Sequence, residues 1–276
     1  MFLIHPCELF SRRRRAPRSV APCTWNGTPI PLSATKPGIA TCEIAEEIAS
    51  DVGPEATLDD LHTAALQLSV RPDTVRSRLR YLAAHPDRLE NLARQSYWHI
   101  NGFAKVKFVE GHGFCLRLHV WPAGEDRQGD VDPHGHRWEF ASWVAAGSGI
   151  AETYFDRTVA ADPEGNAYLE FDYGRTSRAG FLRSRRLAWL SERGELIRSA
   201  GDVYGCPLGV LHTVSPVGID LVATVVLQGS VVTESASVFT RSGGRPAHAL
   251  ERPITADELR HLFGAVEAAI GARAPG

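Results

Sequence analysis

From Phe103 onward the chain changes period. Phe103-Ala104-Lys105-Val106-Lys107-Phe108 and Phe114-Cys115-Leu116-Arg117-Leu118-His119-Val120-Trp121 alternate like strands, with Gly111-His112-Gly113 between them. Further short runs follow near 136–145, 150–155, 167–172, 180–190, 195–198, 210–214, 219–228 and 231–239, cut by Gly and Pro. So many short strands with tight turns fit a double-sheet jelly roll, and the chain is read as mainly β. Before this region, Cys42 to about Ser96 reads as helices. Leu58, Leu61, Ala65 and Leu68 recur at helical spacing behind Thr57 as N-cap, and Pro72 opens a helix with Val75, Leu79 and Leu82 inward. Thr255-Ala256-Asp257-Glu258 is a capping box before an apolar stripe of Leu259, Leu262, Phe263 and Val266. The expected layout is a solvated arm over 1–41, helices over 42–98, a barrel over 99–245, and a C-terminal helix within 246–276 packed outside the barrel.

Two histidine clusters sit inside the strand region. The first is Asp132-Pro133-His134-Gly135-His136-Arg137-Trp138-Glu139, and the second runs from Gly201 through Tyr204, Pro207 and Gly209 to His212. Residues i and i+2 of a strand share a face, so His134 and His136 can point one way together. Three imidazoles brought together make a site for a borderline divalent metal. Glu139 is the carboxylate at hand for a fourth position, although strand alternation turns it away from His136 unless a bulge intervenes.

These motifs resemble those of the cupin superfamily. Its first motif sets His-x-His, then Glu, then Gly, here His134, His136, Glu139 and Gly147. Its second sets Gly, five residues, Pro-x-Gly, two residues and His, here Gly201, Pro207, Gly209 and His212. The resemblance implies a double-stranded β-helix with the metal held by His134, His136, His212 and Glu139. The segment from Gly111 to Trp121, His134-x-His136 and Glu152-Thr153-Tyr154-Phe155 is further similar to the thiol dioxygenase branch, typified by cysteine dioxygenase. That similarity implies an Fe(II) dioxygenase, with Mn, Ni or Zn as alternative ions. It also implies an arginine, Arg117, that holds a substrate carboxylate. Ala141 stands near the place of the cysteine that crosslinks to tyrosine in the animal enzymes, so no crosslink is expected.

The strand holding Arg117 leaves two readings open. Its polar face (Cys115, Arg117, His119, Trp121) or its leucine face (Leu116, Leu118, Val120) looks inward, and periodicity favours the leucines. An inward Arg117 needs an anion, and a carboxylate supplies two-pronged geometry. Tyr204 is a candidate hydrogen-bond donor to the same substrate. The partners expected are thus a small anionic molecule and dioxygen, with a homodimer open.

Composition narrows the remaining classes. A net charge of −2 argues against a globally basic nucleic-acid binder. Residues 64–79 nevertheless resemble a helix-turn-helix, with Arg76, Arg78 and Arg80 on the second helix, which keeps a ligand-sensing regulator as an alternative beside an isomerase or lyase. No apolar run is long enough for a membrane span. The five cysteines lack zinc-ribbon spacing and read as reduced thiols of a cytoplasmic protein.

Overall fold

The computed structural model describes residues 24–25, 28–29, 39–99, 101–124, 129, 132–160, 162, 164–174, 183–241 and 252–272. The chain divides into two units, Met1–Ala34 and Thr35–Gly276. In the first, the two-residue strands β1 (Thr24–Trp25) and β2 (Thr28–Pro29) pair antiparallel. The rest of the arm expected over 1–41 lies outside the described residues, apart from the start of α1.

The second unit opens with four helices, α1 (Ile39–Asp51), α2 (Leu58–Ser69), α3 (Pro72–Ala84) and α4 (Pro86–Ala93). Thr57 caps α2: its hydroxyl accepts from the Asp60 amide, and the Asp60 carboxylate accepts from the Thr57 amide at 2.9 Å. Pro72 and Pro86 stand in the first turns of α3 and α4, where their missing N–H costs nothing. The arginines of α3 are largely engaged within the fold. Arg76 binds Glu267 of the last helix at 2.8 Å, and Arg78 is 2% exposed between the rings of Tyr81 and Phe108. Burial lowers the Arg78 pKa to about 10. Two of the three cations of the helix-turn-helix reading therefore serve packing.

The strands are β3 (Tyr97–Trp98), β4 (Ala104–Gly111), β5 (Phe114–Trp121), β6 (Phe140–Ala146), β7 (Ile150–Thr158), β8 (Asn166–Gly174), β9 (Arg183–Arg198), β10 (Val203–Cys206), β11 (Leu211–Pro216), β12 (Val222–Gln228), β13 (Ser235–Arg241) and β14 (Arg252–Pro253). One antiparallel sheet has the order β10-β6-β12-β5-β4-β3-β14, the other β11-β7-β9-β8-β13. β6 and β7 are consecutive yet lie in different sheets, as are β10 and β11. This repeated crossing makes the two sheets a double-stranded β-helix.

The second sheet curls until it closes. His134 exchanges both backbone hydrogen bonds with His212 of β11, at 3.0 and 3.1 Å. On its other edge the same segment pairs with β13: the Gly135 amide donates to Ser237 and the Phe239 amide to Pro133, at 2.9 and 2.8 Å. The ring β11-β7-β9-β8-β13-(133–135) surrounds an apolar cluster of Tyr168, Ala188, Leu190, Leu211 and Phe239.

Register settles which face of β5 looks inward. Trp121 opposes Val222, His119 opposes Thr224, Arg117 opposes Val226, and Cys115 opposes Gln228. Trp121, Val222 and Val226 join Phe140, Val144, Ile150 and Tyr204 in the core between the sheets. The polar face of β5 is thus the inner face. The leucine face is also fully buried, because the helices cover the outer side of this sheet: α2 lies on β6, β10 and β12, and α1 and α4 on β4. Buried faces on both sides hide the signal that periodicity relies on.

Two expected strand boundaries differ. Only His134 of the run 136–145 and its approach makes a ladder contact before β6 starts at Phe140. Residues 183–198 form one strand, not two, since Gly194 at φ +147 opposes Tyr154 across a bulge whose extra residue is Arg193. The last helix, α5 (Ala256–Gly271), packs mainly on α3 and α4 and reaches the sheet through Phe263 against Phe108. No helix among the described residues is long and apolar enough to cross a membrane.

Candidate metal centre

His134, His136 and His212 meet at the end of the barrel where β6 begins and β10 ends. One ring nitrogen of each lies within 4.8 Å of the others. His134 and His212 are held by their mutual backbone bridge, and His136 follows two residues on, so the i, i+2 relation delivers both side chains to one side. The Phe140 ring packs edge-on to His136 at 4.9 Å and tilts toward His212 at 6.3 Å.

The hydrogen bonds set the tautomers. His134 Nδ1 faces the carbonyl of Asp132 at 3.2 Å, and a carbonyl only accepts, so Nδ1 carries the proton. His212 Nδ1 likewise donates to Glu152 Oε1 at 3.2 Å. With Nδ1 so engaged, Nε2 is the nitrogen each ring has left as a metal donor. The Nε2 atoms of His136 and His212 stand 2.9 Å apart. Two ligands at roughly 2.0–2.1 Å from a shared ion subtend about that separation at a right angle. Desolvation, then the neighbouring His134 and His212, push the His136 pKa well below its ordinary value, which keeps a lone pair free. This donor set fits a divalent ion, and the three histidines can hold one.

Glu152 was not singled out as a site residue by sequence. It lies on β7, fully buried, and its carboxylate takes the His212 imidazole, the Tyr154 hydroxyl at 2.8 Å and Arg198 Nε at 3.0 Å. Burial works to raise its pKa, but the bonds from His212, Tyr154 and Arg198 outweigh it and the pKa falls. The signal available was a glutamate on a strand otherwise read as core. Its partner lies 60 residues away, so only the β7–β11 register joins them.

Glu139 stands outside the three-histidine group. It follows the turn at 137–138, and its charge is felt instead by the Cys206 thiol, which burial pushes up to about 12. Arg117 is on the inner face of β5, its guanidinium 5.8 Å from the centre of the Trp138 ring, and Trp138 is 6.1 Å from His136. Tyr204 is buried in the same core, 6.4 Å from Phe140, and burial raises its pKa well above the ordinary phenol value. His119 also faces inward, but it stacks among Phe103 and Trp121 and is not part of the group.

No family model matches the chain, and no curated protein sequence matches it significantly. Solved structures similar to part of it include several cupins. A cupin domain from Bordetella pertussis is 12% identical, with 47% of this chain and 94% of that one covered and a TM-score of 0.28. An RmlC-like cupin from Shewanella frigidimarina is 14% identical over 49% and 85%, with a TM-score of 0.26. A sugar phosphate isomerase of the cupin superfamily from Silicibacter pomeroyi is 16% identical over 55% and 85%, with a TM-score of 0.30. The fold rests on the strand order described above.

Proposed function

We propose that the chain is a mononuclear, metal-dependent oxygenase, an Fe(II) dioxygenase acting on a small anionic substrate. The observation that supports this most directly is the convergence of three imidazoles at one end of the barrel. His134, His136 and His212 would hold the ion, which when bound supplies Lewis acidity and one-electron chemistry toward dioxygen. Glu152 fixes the His212 ring through its Nδ1 proton. Arg117, from the inner face of β5, meets the negative charge of the substrate and sets its direction. Tyr204, protonated, offers a donor from β10. Phe140 and Trp138 pack against the His136 ring. The reading places the protein in the cytoplasm, in keeping with the free, buried Cys115 and Cys206.

The test is elemental analysis followed by oxygen uptake across small thiols and carboxylates. His136→Ala and His212→Ala should each lose near-stoichiometric metal while the near-ultraviolet circular dichroism stays that of the parent. Retention of the metal in both variants sinks the site. Metal binding without oxygen uptake on any acid would shift the reading to a metal-dependent isomerase or lyase, in which the ion polarises a carbonyl.

A further inference from the structure

Beside the triad lies a set of cations that the reaction reading uses only in part. Arg117 and Arg137 both place their guanidinium carbons over the same indole, Trp138, at 5.8 and 5.2 Å from the ring centre. The Nε of Arg117, and the Nε and Nη1 of Arg137, are buried and have no hydrogen-bond partner among the described residues. Neither arginine forms an ion pair with a described carboxylate, although Glu139 is two residues from Arg137. Arg198 is engaged by Glu152 and Lys107 by Glu110, and Lys105, opposite His119 on β4, is a further cation on this face whose charge acts on His136. On β12, Gln228 faces inward next to Cys115, and its Oε1 is buried without a partner.

Buried guanidinium N–H groups left unpaired cost free energy, and none of the described residues satisfies these. A stacked guanidinium is weakly hydrated and keeps its fork pointing along the plane of the ring system, which suits it to an oxyanion. One carboxylate needs one such fork. Two guanidinium groups packed against one indole put two positive charges in one neighbourhood. The group that answers them with about two negative charges and three acceptor oxygens is a phosphoryl group.

We propose that Arg117, Arg137 and Trp138 form a receptor for the phosphoryl end of a small phosphorylated substrate, next to the metal centre. This rests on the reading of Arg117 as the residue that faces the substrate, but not on the metal. Arg137 is then a specificity-determining residue, and Trp138 the platform that holds both forks.

The experiment uses full-length protein stripped of metal with a chelator, titrated calorimetrically at low ionic strength with inorganic phosphate, a simple alkyl monophosphate and acetate. Phosphate should bind once per chain and at least about tenfold more tightly than acetate, and the alkyl ester at least as tightly as phosphate. Arg117→Gln and Arg137→Gln should each weaken phosphate by about tenfold or more, and Arg137→Lys by less, since it keeps the charge and loses the fork. Arg193→Gln, an exposed control on β9, should leave binding unchanged. Metal uptake by Arg137→Gln should match the parent, which reports an intact fold and separates this result from the triad. Phosphate binding no tighter than acetate, unaffected by Arg137→Gln, or closed to the alkyl ester would overturn the proposal. A chain that takes up no metal yet binds phosphate as described would overturn the oxygenase reading alone.

Discussion

A single carboxylate decides which nitrogen His212 presents. Glu152 can only accept while ionised, so the Nδ1 proton is fixed and Nε2 is left for the cluster. Glu152→Gln keeps the shape but lets the amide present either oxygen or nitrogen to the ring. The expected outcome is a metal affinity about 10–100-fold weaker, measured by competition with a chromogenic chelator, with metal still bound at saturation. An unchanged affinity would show that packing by Phe140 alone orients the ring. The three histidines were legible in sequence because their spacing around Gly and Pro is itself a structural instruction. Arg117 was harder. Its strand has leucines on one side, and the usual inference sends leucines to the core, but here helices and barrel bury both sides. Strand alternation sends Arg137 to the face opposite His136, and its place beside the indole that Arg117 also approaches depends on the bend at 137–138.

At the scale of elements, the capping chemistry was legible and the irregular strand segments were not. Thr57 and Thr255 each close a reciprocal box with an acid three residues on, a local motif that needs no tertiary information. Gly194 looks in sequence like a turn and proves to sit beside the bulge at Arg193 in its own strand, opposite Tyr154 of β7. Gly147 tells the opposite story, since the motif marks it and the geometry explains why. It sits at φ +94, and a Cβ there would lie 2.2 Å from the carbonyl oxygen of Leu221. That contact is to backbone, so no side-chain rotation relieves it. Gly147→Ala should therefore destabilise the fold by at least about 2 kcal/mol, read from the urea midpoint at unchanged slope. A loss of only a few tenths would mean that the β6–β7 turn is free to shift away from β12.

Across the whole molecule, closure of the second sheet is the feature sequence could least disclose. It joins residues 133–135 to β13, about a hundred positions later, through backbone bonds that carry no side-chain signature. Inside this sheet Glu170 of β8 meets Arg186 of β9 and Ser237 of β13, the strands that flank it, and Arg157 of β7. Glu170 is fully buried and accepts from Arg157 at 2.7 and 3.2 Å, from Ser237 at 2.7 Å and from Arg186 at 3.2 Å. The Arg157 bonds, against the opposing effect of burial and with Ser237 and Arg186 in support, hold its pKa down to about 2. A carboxylate whose pKa is lower folded than unfolded stabilises the fold above its unfolded value, about 4.3, and loses that contribution as pH falls toward the folded value. Both arginines are substantially solvated, which tempers the gain, so Glu170→Gln should cost on the order of 2–3 kcal/mol near neutral pH. The gap between the parent and the variant should narrow steadily between about pH 4.5 and 2, because the parent protonates while glutamine has nothing to titrate. Chemical denaturation of both proteins across that window is the measurement. A gap that stays constant would assign the loss to packing inside the closed sheet and remove the charge cluster from the forces that hold it shut.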